Sequence, residues 1–575
     1  MDRAGHDVVI IGSGIAGLRA AIEASRVSGG KADVAVVTKL QAMRSHSVSA
    51  EGGTAAVLYP ELGDSIESHI FDTVKGSDYL GDQDAIERFV KMMPAEIYQL
   101  EHWGMPWSRR DDGRIAQRWF GGYSYPRATF AEDKVGFHEM QTLYDTCTKY
   151  GNVTFYQEWF ATSILVELGE FRGVTAIEMK TGELSPILAK AGIIATGGAG
   201  RLYSFATYGH SSTADGLAMA YRAGVPLKDM EFVQFHPSGL IPSGILITEG
   251  ARADGGVLLN RDGERFMGKY APEKLELASR DVVSRAMVTE VEQGRGFRDE
   301  SSGYDYLELD LTKIGAAKVK ERLAGIREIA MKFKGIDPVE RPLPVRPVCH
   351  YMMGGLDVDL DGATKIRGLW AAGEAACVSI NGANRLGANS TAECLVWGRI
   401  TGAEAVRYAT GRGAASVPKE QVLREEGRIF DGILHGRGGT NPYDVRDSVQ
   451  RAMDEGAFVY RTDEGLAEAI RATRVLRESD FLHCDDRSRR YNTNLTNVLE
   501  VEAMLMAAEA ILRCAHARRE SRGAHARRDF PKRDDVKWLK HSLAFHSAEE
   551  TDGGHVKLDY SPVKITKYQP AERQY

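Results

Sequence analysis

Cysteine is scarce in this 575-residue chain: six residues (Cys147, Cys349, Cys377, Cys394, Cys484, Cys514), none in a C-x-x-C pair or with histidine at zinc-finger spacing. That spacing gives neither a metal site nor an iron–sulfur cluster, and it predicts inert core thiols in a reducing compartment rather than a disulfide framework. No stretch reaches the ~18 consecutive apolar residues of a membrane span. The first apolar strand starts a few residues after Met1, which predicts no signal or transit peptide. Positive charge is not in excess: 73 Lys and Arg stand against 80 Asp and Glu, a net charge of -7, so no nucleic-acid partner is expected. Proline is sparse, 18 against 61 glycines, and 43% hydrophobic with 27% charged residues describes a globular chain, not a disordered one. At roughly 150 residues per domain the length predicts about two to four domains.

The apolar run Asp7 to Ile11 closes directly on Gly12-Ser13-Gly14-Ile15-Ala16-Gly17, followed by helical text from Leu18 to Arg26 and a second apolar run, Val34 to Thr38. Strand, G-x-G-x-x-G, helix and strand in this order predict a dinucleotide-binding βαβ unit. Its glycines permit a tight turn, and its helix N-terminus faces a pyrophosphate. The second strand ends in Thr38-Lys39 where an acid usually takes the ribose hydroxyls, which weakens a plain NAD reading. Ala191 to Gly198 and Leu369 to Glu374 are further strand-to-glycine turns of the kind that two-dinucleotide-fold flavoproteins place under their cofactor. The predicted class is therefore α/β. A Rossmann-like FAD-binding domain (1–234 and 345–412) is interrupted by an α+β capping domain (235–344), then followed by a helical domain (413–533) and an extended C-terminal segment (534–575). Val556 to Tyr560 and Val563 to Thr566 read as edge strands in that last segment.

Arg44-Ser45-His46-Ser47-Val48-Ser49-Ala50-Glu51-Gly52-Gly53 follows the second strand. After it come Gln234 to Gly239, Thr248 to Arg252, Ala278 to Val283, His350 to Gly355, Gly382 to Ser390, Glu520 to Arg527 and Ile565 to Pro570. From end to end this set resembles the flavoprotein subunit of succinate dehydrogenase and fumarate reductase. The resemblance implies FAD attached covalently through His46. It places Gly12, Ser13, Gly14, Ile15, Ala16, Gly17, Thr38, Lys39, Ser45, Ser47, Gly52, Asp215, Glu374, Arg385, Ser390 and Thr391 against that cofactor. Thr391 stands where the family commonly has Leu, so its backbone rather than its side chain is expected to meet the flavin.

A C4 dicarboxylate is doubly negative and needs cations and hydrogen-bond donors at both ends; His236, Thr248, His350 and Arg385 supply them, with Phe120 and Gly53 alongside. Succinate oxidation also needs a base opposite the hydride acceptor. By resemblance the proton relay runs through Arg280, with Glu249 and Arg252 passing the proton on and His236 in the same site, while Arg385 clamps a carboxylate. His69, His138 and His483 read as ordinary surface or core histidines. The resemblance implies succinate oxidation, with electrons passed to an iron–sulfur subunit and through membrane anchor subunits to quinone, at the cytoplasmic face of a cell membrane. The alternatives are the fumarate-reducing direction, L-aspartate oxidase, and a non-catalytic FAD-binding assembly subunit.

Overall fold

A computed structural model describes residues 5–436, 439–478, 484–551 and 554–573; His483 lies outside them. The β-branched run at the start forms strand β1 (Gly5–Ile11), and helix α1 (Ile15–Val27) carries the chain to strand β2 (Val34–Thr38), parallel to β1 from Val8 opposite Val34 to Ile11 opposite Val37. Helix α2 (Val135–Thr148) leads to strand β3 (Val153–Gln157), which extends the parallel order beside β2. A hairpin, β4 (Trp159–Glu167) and β5 (Glu170–Glu178), feeds strand β6 (Glu183–Ile194). The first half of β6 pairs antiparallel with β5, while its last residues lie parallel between β1 and the short strand Leu369–Ala371. The sheet therefore returns the chain to the cofactor edge at the two glycine turns singled out in the sequence.

Two long antiparallel strands, β7 (Val233–Leu240) and β8 (Leu343–Met352), carry the chain out of this domain and back. Val233, Phe235, Cys349 and Met352 belong to the nucleotide-domain core, whereas Leu240, Leu343 and Val345 belong to a second core built with Leu258, Val283 and Leu309. One strand pair thus threads two hydrophobic cores. Helix α3 (Arg280–Glu290) packs on it, with Ser284 donating to the Phe235 carbonyl at 2.8 Å.

Helix α4 (Asn389–Ala409) lies on α1. A Cβ on Gly398 or Gly402 would stand 2.6 Å or 2.3 Å from the carbonyl oxygens of Ala16 and Ala20, so only glycine lets the two backbones approach this closely. The helical text beyond residue 415 forms helices that include α5 (Thr493–Ala517). The fold is the α/β class with cap, helical region and C-terminal segment expected from the sequence. That segment folds into a hairpin, β9 (Lys540–Thr551) and β10 (Gly554–Pro562), and β9 pairs with Leu227–Lys228. The expected strand Val563 to Thr566 is not one: the Lys564 carbonyl accepts from Gln83 N–H at 3.0 Å and the Thr566 and Lys567 N–H groups donate to the Gln83 side chain. Its place in the hairpin is taken by β9.

A buried ion network anchors this end of the chain. Arg518 donates to Glu231 (2.6 Å) and Glu520 (3.0 Å), and Arg522 donates to Glu520 (2.8 Å), all four side chains being fully buried. On β9, His541 sits between Asp229 (Nδ1, 2.7 Å) and Asp82 (Nε2, 3.2 Å). Burial disfavours the imidazolium, but the two carboxylates outweigh it and push the ring up to about 9 from 6.5. With the folded value above the unfolded one, its contribution is fully present below about pH 6.5 and is lost as pH rises through about 9. A shift of this size is worth on the order of 3 kcal/mol. Melting temperatures of wild type and His541→Leu are therefore expected to differ most below pH 6.5 and to converge by about pH 10. A gap that widens with pH overturns this account.

Candidate active site

The glycine turn, the histidine turn and the strand pair β7–β8 open on one cleft of about 340 Å³, within the range of ligand pockets. At its nucleotide end Gly12 has φ +108°, and a Cβ there would lie 2.2 Å from the Ala195 carbonyl oxygen. No side chain caps α1 at Gly14, so the N–H groups that follow Ile15 are offered to an anion. Ser13 and Ser47 fix the turn: Ser13 donates to the Ala42 carbonyl at 3.1 Å and Ser47 Oγ accepts from Ile15 N–H at 3.3 Å. The missing acid after β2 is supplied in space. Lys39 Nζ contacts Asp215 (2.5 Å) and Glu500 (2.8 Å), and Asp215 lines the cleft beside Thr38 and Lys39. Glycine cradle, open helix end and acid together fit a dinucleotide cofactor.

Next to it, Ser45 Oγ starts the 3-10 turn His46–Ser49 by accepting from Ser47 N–H. The His46 ring stacks on Tyr208, centroids 4.9 Å apart, and its Nδ1 accepts from Gly209 N–H at 3.2 Å, leaving Nε2 without a hydrogen-bond partner among the described residues. Burial, reinforced by Arg201, pulls this imidazole down to about 4, so the ring is neutral. Tyr208 also donates to Glu374, whose Oε1 accepts from Met352 N–H at 2.9 Å; burial pushes Glu374 up to about 7.

At the far end β7 and β8 set two histidines side by side, centroids 5.0 Å apart. His236 accepts from Ser238 N–H through Nδ1 (3.2 Å), and its buried Nε2 has no partner. His350 Nδ1 meets Thr207 Oγ1 at 2.9 Å. Thr248 caps the one-turn helix Glu249–Ala253. Arg280, at the start of α3, donates from Nε to Glu249 Oε2 (2.9 Å) and from Nη1 to Gln234 Oε1 (3.1 Å). Arg252 Nη2 lies 3.9 Å from the same Glu249 oxygen. Arg385 donates to Ser390 at 3.1 Å, lies over the Tyr351 ring at 4.3 Å and keeps a buried Nε unpartnered. Phe120 is buried against Gly52 and Gly387.

Two guanidinium groups, Arg252 and Arg280, flank the Glu249 carboxylate, and a third, Arg385, lies in the same buried site near Arg280. Burial opposes ionisation of Glu249, but Arg280 and Arg252 outweigh it and hold the group below its ordinary range. Burial, then Arg280, depresses His236 and His350 well below 6.5, so both stay neutral; burial, then Arg280, also lowers Arg385 to about 10. The buried site carries positive charge in excess and donors with nothing to bind, as a dianion requires.

Every sequence-predicted site residue lines the cleft except Gly17, whose lack of a side chain lets α1 pack on the Gly12 carbonyl, and Arg252, which stands behind Glu249. The Thr391 hydroxyl, at the cleft wall, meets the Gly53 carbonyl (3.3 Å) and Thr54 (2.8 Å). Sequence reasoning missed Tyr208, Gln234, Glu51 and Arg118. Glu51 and Arg118 sit together, Arg118 donating to the Glu51 carbonyl at 2.9 Å and lying 4.6 Å over the Phe130 ring. Glu51, beside His46 in the same motif, was within reach of the sequence; Tyr208 and Arg118 become site residues only through folding.

The FAD binding domain family matches residues 7–391, and the family described as fumarate reductase flavoprotein C-term matches residues 446–575. The fumarate reductase flavoprotein subunit of Mycobacterium tuberculosis is 47% identical over 99% of both chains. The succinate dehydrogenase flavoprotein subunit of Rickettsia bellii is 42% identical over 99% of this chain and 98% of its own. A solved variant of Escherichia coli quinol fumarate reductase superposes with a TM-score of 0.95 at 43% identity, covering 100% of this chain and 99% of its own. The cofactor of the cleft is FAD.

Gly12→Ala combines a backbone clash with a positive φ, a strain of about 1–3 kcal/mol or more. It is expected to be purified with less than about a tenth of the wild-type flavin, since 1.4 kcal/mol is tenfold in affinity. Gly5→Ala, whose added Cβ meets nothing within 4 Å, should match wild type. The flavin-to-protein absorbance ratio measures both, and equal ratios overturn the assignment of the glycine turn.

Proposed function

This chain belongs to the fumarate reductase and succinate dehydrogenase flavoprotein family, and we propose that it interconverts succinate and fumarate, with FAD bound covalently through His46. The observation that carries the reading is the buried row Gln234–Arg280–Glu249–Arg252 facing the neutral pair His236 and His350 across one cleft. Arg385, the two histidines and Thr248 hold the two carboxylates of the substrate and fix its plane. Bound flavin supplies the hydride acceptor or donor at the neighbouring face.

Arginine is a poor base in water. Here Arg280 Nη2 has no protein hydrogen bond among the described residues, while Nε already donates to Glu249. In the oxidising direction the guanidinium first gives a proton to Glu249, and the neutral guanidine so formed takes the substrate proton and is a guanidinium again, so the neutral form does not persist. Arg252 keeps Glu249 ionised and ready between turnovers. In the fumarate direction the same proton runs backwards. For His46, neutrality and a free Nε2 support attachment at that nitrogen.

Succinate oxidation is the direction implied by the sequence resemblance. Fumarate reduction is a second reading, favoured because the 47%-identical relative and the structure at TM-score 0.95 carry that name. Electrons are exchanged with an iron–sulfur subunit and, through a membrane anchor, with quinone at the cytoplasmic face. Three features support this: six scattered cysteines, no convergent metal-ligand trio among the described residues, and no described helix long and apolar enough to cross a membrane.

Arg280→Ala and Arg280→Lys, assayed in the assembled complex with succinate and an artificial electron acceptor, are expected to lose at least about 10²-fold in kcat. Undiminished turnover overturns the proton assignment. After acid precipitation flavin fluorescence should remain on the peptide containing His46 and be released from His46→Ser. Release from wild type sinks covalent attachment and favours a soluble fumarate reductase or an amino-acid oxidase. The ratio of kcat/KM for succinate to that for fumarate, measured in the same complex, decides the direction.

A further inference from the structure

Behind the wall of the cleft lies a carboxyl group that the proposed chemistry does not use. Glu139, on α2, is completely buried; Oε1 accepts from Thr54 Oγ1 and Oε2 has no partner. Thr54 Oγ1 lies 2.8 Å from Thr391 Oγ1, and Thr391 lines the cleft next to Ser390 and Gly53. Carboxyl, hydroxyl and hydroxyl therefore form an unbroken chain from the protein interior to the cofactor pocket. Helix α2 is held rigidly there: Gly136 N–H donates to the Ala50 carbonyl at 2.8 Å, and a Cβ on Gly136 would stand 2.1 Å from the Ser47 carbonyl oxygen.

Each hydroxyl in such a chain has one proton to give. When Glu139 is ionised it only accepts. Thr54 then donates to it and accepts from Thr391, whose single proton is engaged, so the Thr391 oxygen is left as an acceptor. When Glu139 is protonated its O–H donates to Thr54, the Thr54 proton turns to Thr391, and the Thr391 proton is released towards the Gly53 carbonyl or the cleft. The chain has two directions, and hydrogen bonds in low dielectric polarise one another along it.

We propose that Glu139 is a positioning residue for the flavin pocket: its protonation sets the direction of the hydroxyl chain through Thr54 and Thr391, and so decides whether the pocket wall presents a donor or an acceptor. The proposal rests on the reading that this cleft holds FAD. The elements packed on α2 leave the group electrostatically isolated. Arg19 of α1 is paired with both Glu23 and Glu96, the His46 ring is stacked on Tyr208, and Glu139 itself makes no ion pair among the described residues. Cys394 of α4 is the titratable side chain that feels its charge, and burial keeps that thiol protonated. With only burial opposing the Thr54 hydrogen bond, Glu139 is pushed up to about 8.

The test is the flavin midpoint potential against pH from 6 to 10, measured in the assembled complex for wild type, Glu139→Gln and Thr54→Val. The wild-type curve is expected to bend near pH 8, and the bend should vanish in both variants. Thr54→Val leaves the carboxyl in place and breaks only the chain, so it also carries the test alone if Glu139→Gln does not incorporate flavin. A merely structural role would offset the whole curve without changing its shape. Parallel curves for wild type and Glu139→Gln overturn the proposal, as does a bend that survives in Thr54→Val. Succinate turnover of the same preparation reports separately: flavin-loaded protein that does not oxidise succinate sinks the functional reading, while the potential curves still decide Glu139.

Discussion

The site depends on positive charge buried without an equal negative partner. Arg252, Arg280 and Arg385 are all nearly inaccessible to solvent, and among them only Glu249 is an ionised counter-charge. Two unbalanced charges in low dielectric are unfavourable until something doubly negative arrives. The neighbouring histidines add no further positive charge: burial and the arginines hold His46, His236 and His350 below their ordinary range, so all three are neutral. Under the proposed function a dicarboxylate supplies the missing charge, so binding energy and specificity come from the same imbalance. Under the same proposal it accounts for an arginine proton relay, since the Arg280 Nε proton is already shared with Glu249.

Such an arrangement requires rigid supports, and two distant parts of the chain provide them. The strand pair β7–β8 runs through both hydrophobic cores, which fixes His236 and His350 where the cap meets the nucleotide domain. The C-terminal motif Glu520 to Arg527 reaches the other side of the cleft. Arg285, one turn beyond Arg280, donates to the Gly523 carbonyl at 2.7 Å, and Ala524 N–H donates to the Ala383 carbonyl two residues before Arg385 at 2.8 Å. Arg280 and Arg385 are thus braced by the same buried turn, which the Arg518–Glu520–Arg522 network holds in place.

Much of this was legible in the sequence because the signals are local. A β-branched run ending on G-x-G-x-x-G can form little else, and β1, α1 and β2 lie where the pattern puts them. The motifs around His46, His236, Arg280, His350 and Arg385 named the residues that line the cleft. Reading failed where long-range pairing chose between equivalent texts. Val563 to Thr566 alternates like a strand, yet Gln83 takes its backbone groups and β9 pairs with β10 instead. The acid missing after β2 also came from elsewhere, Asp215 and Glu500 meeting Lys39 across the fold.

By itself the sequence determined the fold class, the dinucleotide turn and most of the side chains that line the cleft, since spacing and residue type fix backbone periodicity and the available donors and cations. Only the tertiary structure decided which of those groups are charged. Burial and the neighbours gathered from remote segments set the protonation of His46, Glu139, Glu249 and His541. A proton equilibrium responds to desolvation and to charges a few ångströms away, and neither distance nor dielectric is written along the chain.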